Sequence, residues 1–120
     1  MKVYLVENAP MVRERLRSRI AALPGVEVVG EAATARDALL GIAASDADAV
    51  VLDIHLDEGT GFDVLRELQR TSPAVAVYLL TNFVSETYRK AGARFGARGF
   101  FDKSRELDLL LAALAAAPAA

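Results

Sequence analysis

Apolar residues in this chain are concentrated in five short runs, at residues 3–6, 26–29, 49–52, 75–80 and 100–101. Short continuous apolar runs are typical of strands that are buried on both faces of a sheet. Between the runs, apolar residues recur every three or four positions, which is the spacing of one buried helix face. The pattern therefore predicts strands and helices in strict alternation.

The first predicted helix shows this spacing most clearly. Pro10 suits the first turn of a helix, because the backbone N–H that proline lacks would have no partner within the helix there. Val12, Leu16, Ile20 and Leu23 follow at intervals of four, four and three residues. Further helices are predicted from similar stripes at Ala35, Ala38, Leu39 and Ile42; at Phe62, Leu65 and Leu68; at Val84, Tyr88, Ala91 and Phe95; and at Leu107, Leu110, Leu111 and Leu114.

The helix boundaries are predicted from residues that cap or break helices. Thr34, with Asp37 three residues later, suits the start of the second helix, and Ser85 suits the start of the fourth. Pro73 is expected to end the third helix. The Ala-rich tail, which Pro118 interrupts, is expected to be a fraying helix end.

Alternating strands and helices predict an α/β fold, because parallel strands need crossover connections and these are usually helices. We expect a five-stranded parallel sheet of order 2-1-3-4-5 with helices on both faces, the flavodoxin-like (βα)5 arrangement. The second strand is expected to end at Gly30. All 120 residues form one predicted domain, residues 1–120.

The composition and charge of the chain exclude several kinds of binding site and partner. The net charge of −2 gives no bulk attraction to nucleic acid or anionic lipid. The chain has no cysteine and one histidine, His55, so thiolate and His-rich metal sites are excluded. No apolar stretch reaches the ~20 residues that span a bilayer. These features predict a cytoplasmic domain that binds neither membrane nor, by itself, nucleic acid.

Residues able to handle a charged ligand follow four of the five strands. Glu7 and Asn8 follow the first, Asp53 the third, Thr81 the fourth and Lys103 the fifth. Parallel strands place their carboxyl ends at one edge, where open α/β sheets bind ligands. Oxygen ligands suit Mg²⁺, and a carboxylate there can become an aspartyl phosphate. The alternative at each position is an ordinary polar residue where the chain leaves the core.

Together these motifs resemble the receiver domain of two-component response regulators over essentially the whole chain. The matching segments are Glu7-Asn8 after the first strand, Asp53-Ile54-His55 after the third, Gly61 eight residues after the aspartate, Leu80-Thr81, and Gly99-Phe100-Phe101-Asp102-Lys103.

The resemblance implies a phosphorelay role in which Asp53 accepts a phosphoryl group from a sensor histidine kinase or a phosphotransfer protein. It implies Mg²⁺ at Glu7, Asn8, Asp53 and the backbone carbonyl of His55. Thr81 and Lys103 would contact the phosphoryl group. Phe100 would follow Thr81 and switch the surface of helix 4, strand 5 and helix 5. The domain would promote its own phosphorylation and dephosphorylation without being a turnover enzyme, and a homodimer is a further expectation.

Four positions depart from the family pattern. Asn8 stands where an aspartate is usual, which predicts weaker Mg²⁺ affinity. Asp57 replaces a proline, which predicts a more mobile loop. Ser104 also replaces a proline, so the Lys103–Ser104 bond is expected to be trans, since a cis bond without proline costs ~3 kcal/mol. Phe100 stands where tyrosine is frequent and has no hydroxyl.

Other functions remain open from the residues alone. A receiver-like interaction module that works without phosphate would explain Asn8, but the retention of Asp53, Thr81 and Lys103 speaks against it. An aspartyl phosphatase would carry a second acid where His55 stands. A flavin carrier would need a neutral phosphate-binding loop in place of the acidic one at Glu7. The output is not predicted: the chain is either a single-domain regulator or the receiver of a longer transcription factor.

Overall fold

The computed structural model describes residues 1–117, in which strands and helices alternate. Pro118 and the end of the tail lie outside the described residues. The elements are β1 (Lys2–Val6), α1 (Pro10–Ala21), β2 (Glu27–Ala32), α2 (Ala35–Ser45), β3 (Ala49–Leu52), α3 (Gly61–Thr71), β4 (Ala76–Thr81), α4 (Glu86–Arg94), β5 (Gly99–Asp102) and α5 (Leu107–Ala116).

All pairs of neighbouring strands are parallel, and the sheet order is β2-β1-β3-β4-β5. The predicted order is therefore confirmed. β1 and β3 lie side by side, with Val6 opposite Leu52 at their carboxyl ends. Every residue of β3 is buried, as its unbroken apolar sequence predicts for a central strand.

The helices cover both faces of the sheet and enclose two cores. On one face, Leu16 of α1 packs in the same cluster as Leu110 and Leu114 of α5. On the other, α2 and α3 contribute Ile42 and Leu65, and α4 adds partly buried aromatic rings. The predicted two-sided architecture is confirmed. Within residues 1–117, no helix combines the length and apolar character required to cross a bilayer.

The second strand runs further than predicted. β2 passes through Gly30 to Ala32, so the prediction that Gly30 ends this strand is wrong. The strand continues because Gly30 pairs with Tyr4 and Ala32 pairs with Val6 on the neighbouring strand. Glycine suits this position because a Cβ there would lie 2.5 Å from Cε2 of Tyr4. The register also shifts here, with Val3 opposite Val28 but Tyr4 opposite Gly30. Glycine within a strand often marks such an irregularity.

Capping residues set the helix starts largely as predicted. Thr34 Oγ1 accepts a hydrogen bond from the Asp37 amide at 3.1 Å, and Ser85 caps α4 through the Tyr88 amide. α3 has a capping box that was not predicted, in which Thr60 and Asp63 each bond the other's backbone amide.

Candidate functional site

Three charged side chains converge at the carboxyl edge of the sheet. Glu7 follows β1, Asp53 follows β3, and Lys103 reaches across from the end of β5. The Lys103 Nζ atom lies 2.5 Å from Glu7 Oε1 and 2.7 Å from Asp53 Oδ2. Because β1 and β3 are adjacent, the two carboxylates lie side by side at the sheet edge. β4 separates β3 from β5, so the long lysine side chain is needed to reach both carboxylates from the end of β5.

These carboxylates are almost completely buried, at 1% exposure for Glu7 and 5% for Asp53. Two buried like charges repel, and leaving either unpaired is costly. The Lys103 ammonium group offsets this repulsion. Burial lowers the pKa of Lys103, but hydrogen bonds to Asp53 and Glu7 outweigh burial and leave the pKa above its ordinary value. Lys103 is therefore a cation throughout the physiological pH range.

Backbone groups hold both carboxylates in place. Glu7 Oε2 accepts a hydrogen bond from the Ala9 amide at 2.9 Å, and Asp53 Oδ1 accepts one from the His55 amide at 3.3 Å. The Asp53 amide donates to the Val6 carbonyl at 3.0 Å. Main-chain amides and the Lys103 ammonium group thus hold both carboxylates together.

A cavity of about 340 Å³ opens over this cluster. Its walls include Glu7, Asn8, Asp53, His55 and Lys103, five residues that the sequence singled out. Carboxylate, amide and ammonium groups line the cavity beside apolar side chains. The structure therefore brings most of the predicted site residues to one small cavity.

Thr81 and Phe100 do not line this cavity. Thr81 is fully buried at the end of β4, and its Oγ1 accepts a hydrogen bond from the Phe83 amide at 3.2 Å. Phe100 is half-buried and packs against the core beneath α4. Thr81 lies at the edge of the site, whereas Phe100 belongs to the contact between β5 and α4.

Two further cavity residues, Asn82 and Phe83, were missed by the sequence interpretation. The Phe83 ring is exposed, and its centroid lies 4.0 Å from that of His55. Asn82 Oδ1 accepts a hydrogen bond from Ser104 Oγ at 2.9 Å. Their signal was positional: both follow Thr81 directly, where β4 ends at the same edge as Asp53.

The structure shows how the loops around the site accommodate Ser104 and Asp57, two of the residues that depart from the family pattern. The Lys103–Ser104 bond is trans, as expected, since residues 1–117 contain no cis peptide bond. The Asp57 amide donates to the Ala33 carbonyl at 3.1 Å, a bond that a proline in its place could not make. The backbone amide at position 57 therefore ties this loop to the segment before α2.

The oxygen atoms of the site suit a hard divalent cation, although only two of the side chains that carry them are acids. Glu7, Asp53 and Asn8 carry side-chain oxygens and line this cavity together with His55, and Mg²⁺ prefers oxygen ligands. The Lys103 ammonium group already stands as a cation between the two carboxylates. Within residues 1–117, no group of three or more Asp, Glu, His and Cys side chains forms a metal cluster.

Comparisons with known proteins support the fold and indicate the family of the chain. Residues 3–115 match the family model described as the response regulator receiver domain. The chain is 32% identical over 103 residues to the DNA-binding transcriptional activator DevR/DosR of Mycobacterium tuberculosis, which covers 86% of this chain and 48% of that protein. It is 33% identical over 99 residues to protein-glutamate methylesterase/protein-glutamine glutaminase 4 of Geobacter metallireducens, covering 78% of this chain and 28% of that protein.

Among solved structures, a LuxR-family two-component response regulator from Aurantimonas has a TM-score of 0.83 at 28% identity, covering 93% of this chain and 85% of that one. The chain spans about half the length or less of the curated relatives it matches. The shared part is the receiver, and the relatives differ in what lies outside it.

Proposed function

This chain belongs to the family of response regulator receiver domains, and we propose that its Asp53 carboxylate is the phosphoacceptor of a two-component signalling pathway. The observation that carries the proposal is the placement of Asp53, Glu7 and the Lys103 ammonium group together in one cavity. A buried carboxylate at a cavity floor beside a fixed cation is positioned for attack on a phosphoryl group.

In the proposed reaction, an Asp53 carboxylate oxygen attacks the phosphorus atom of the donor. An acyl phosphate bond forms as the bond from phosphorus to the donor's leaving atom breaks, and that atom keeps the electron pair and takes a proton from water. Lys103 is close enough to transfer its ammonium contacts from Asp53 to the phosphoryl oxygens. Such positioning and charge neutralisation are the main protein contributions to phosphoryl transfer.

We propose that Glu7, Asn8, Asp53 and the His55 carbonyl hold Mg²⁺. When bound, the ion neutralises charge on the phosphoryl oxygens and between the carboxylates. Hydrogen bonds from the Ala9 and His55 backbone amides hold the Glu7 and Asp53 carboxylates in the positions proposed for binding the ion.

Restoring an acid at position 8 tests this metal assignment. Asn8→Asp is expected to tighten Mg²⁺ binding about tenfold, because a third carboxylate adds charge and each ~1.4 kcal/mol is a factor of ten. Calorimetric or amide NMR titration measures it. Asn82→Asp, which adds the same charge to another cavity residue, is the matched control and is expected to gain less. Equal gains for the two variants would place Asn8 outside direct contact with the ion.

Thr81 and Phe100 are proposed to relay phosphorylation to α4, β5 and α5. A ligand shifts a conformational equilibrium only through contacts that differ between its states. The Thr81 hydroxyl would supply such a contact by exchanging its hydrogen bond with the Phe83 amide for one with the phosphoryl group. Phe100 would then move inward into the space that the hydroxyl vacates.

Thr81→Ala is therefore expected to leave Asp53 phosphorylatable but to remove the response at α4. Amide NMR shifts with and without beryllofluoride, a phosphoryl mimic, measure that response, and Thr81→Ser should restore it. Thr87→Ala, on the exposed side of α4, is the control. Parent-like shifts around Phe100 in Thr81→Ala protein would refute the relay.

The partner that supplies the phosphoryl group is proposed to be a sensor histidine kinase or a phosphotransfer protein. We further propose that the domain acts as a switch for an output unit and does not turn over a substrate. The DNA-binding relative makes transcription regulation the favoured output, with DNA contacts made outside this domain. Dimerisation of the receiver would then couple phosphorylation to that output.

A second candidate is a receiver-like interaction module that does not use phosphate. Asn8 favours it, because the site has two acidic side chains where a third carboxylate would strengthen metal binding. The two candidates differ in one measurable property, which is whether Asp53 becomes phosphorylated.

Chemical labelling tests the proposed function directly. With Mg²⁺ and acetyl phosphate, the chain should gain the mass of one phosphoryl group. Borohydride reduction should then convert the labelled aspartate to homoserine, which peptide mass spectrometry locates. Homoserine at position 53 supports the phosphoacceptor. An unmodified protein under conditions that label a known receiver supports the phosphate-independent module, and homoserine elsewhere refutes the assignment of Asp53.

A further inference from the structure

The guanidinium group of Arg89 lies over Phe100, the aromatic residue of the proposed switch. Arg89 Nη1 donates to the Phe100 carbonyl oxygen at 3.1 Å, and Nη2 donates to Glu106 Oε1 at 3.1 Å. The Arg89 Cζ atom lies 5.1 Å from the centroid of the Phe100 ring. A single side chain of α4 therefore contacts both β5 and the residue that precedes α5.

The Phe100 ring also packs closely against the α4 backbone. Gly92 is buried one turn after Arg89, and a Cβ there would lie 3.3 Å from Phe100 Cδ2 and 2.9 Å from Leu79 Cδ1. The absence of a side chain at Gly92 thus provides the space that the ring occupies. Two successive turns of α4 contact Phe100, one through a small residue and one through a cation.

Glu106 is itself held in position. Its Oε1 atom accepts a hydrogen bond from the Asp102 amide at 2.8 Å as well as the bond from Arg89. The backbone bond and the Arg89 charge lower the pKa of Glu106, so its carboxylate is charged at neutral pH. Arg89 is therefore tied to a fixed anion next to the end of β5.

We propose that Arg89 is a positioning residue for the switch, which holds Phe100 in its half-buried place against α4 and opposes its inward movement. The inference rests on the proposed function, because that movement is the one that phosphorylation of Asp53 is proposed to drive. When the ring moves inward, it leaves the guanidinium group, and this cation–π contact is lost. Arg89 therefore stabilises the arrangement of Phe100 that precedes phosphorylation.

The expected size of the effect follows from the exposure of the contacts. Exposed cation–π contacts and exposed ion pairs are individually weak. Only the cation–π contact differs between the two positions of Phe100, so removing it should shift their equilibrium by about two- to fivefold. By linkage, beryllofluoride should bind more tightly by a similar factor, since less of its binding energy is used to move the ring.

Arg89→Met is the test, because methionine keeps much of the apolar stem and removes the charge. In beryllofluoride titrations followed by amide NMR, we expect affinity about two- to fivefold higher than that of the parent. Without beryllofluoride, the amide signals of Gly92 and Phe100 should already move toward their bound positions. Glu106→Gln should show a smaller change in the same direction, and Arg89→Lys should restore part of the parent behaviour.

Arg94→Met is the matched control. Arg94 is also exposed on α4 but makes no hydrogen bond or ion pair with Phe100 or Glu106 among the described residues. Parent-like affinity in Arg89→Met, or an equal gain in Arg94→Met, would overturn the inference. If Arg89→Met does not fold, Arg89→Lys and Glu106→Gln decide the matter in the same titration. A parent protein that does not respond to beryllofluoride at Asp53 would instead refute the proposed function.

Discussion

Asp53→Asn is expected to abolish phosphoryl incorporation from acetyl phosphate while leaving the fold intact. Asparagine has nearly the same shape as aspartate, but its amide oxygen is too weak a nucleophile to form an acyl phosphate. The substitution removes one of two buried like charges, and Lys103 keeps its bond to Glu7. The loss of reactivity should therefore not be accompanied by a large loss of stability.

Intact-protein mass spectrometry measures the loss, and an amide NMR spectrum checks the fold. Asp57→Asn is the matched control, because Asp57 is an exposed acid in the following loop and should label like the parent. Labelling of Asp53→Asn at the parent level would assign the chemistry to another residue. Loss of labelling in both variants would indicate a general effect of charge on the site.

Gly61→Ala is expected to lower the free energy of unfolding by about 3 kcal/mol. A Cβ at Gly61 would lie 2.3 Å from the Asp53 carbonyl oxygen and 2.8 Å from the Ile54 Cα atom. Both contacts are with backbone, so no side-chain rotation relieves them. The chain segment that carries the Asp53 carboxylate must move, and phosphorylation should slow as well.

Urea denaturation measures the change in unfolding free energy, and labelling rates measure the change at Asp53. Gly25→Ala is the control. Gly25 has a φ of 75°, and a Cβ there would meet nothing within 4 Å. Left-handed backbone in a residue with a side chain costs only about 1 kcal/mol, and position 25 is remote from Asp53 in the chain. Equal losses for the two variants would show that the Gly61 contacts are readily relieved.

The sequence was sufficient to predict the sheet order, because a helical stripe separates each apolar run from the next and right-handed crossovers allow few arrangements. It also predicted the convergence of Glu7, Asp53 and Lys103. Their position follows from strand order alone, since each residue comes directly after a strand. The periodicity of apolar residues and the direction of the chain can both be read from the sequence, and these two predictions depend on them.

The errors and omissions have a different cause. Gly30 has the local character of a strand end, yet β2 continues through it because Gly30 pairs with Tyr4 of β1, whose ring fills the space beside it. The Phe83 ring packs against His55 from the loop that follows the adjacent strand β4. In both cases the partner is distant in the chain, and no periodicity relates the two residues.

Thus the sequence by itself determined the architecture and the ionic residues at the sheet edge, because both depend on the order of elements. Only the tertiary structure decided how those residues are paired, which loops cover them, and that Arg89 lies over Phe100 while Gly61 abuts the Asp53 backbone. These contacts depend on packing distances between separate elements, where a few tenths of an ångström decide between contact and clash.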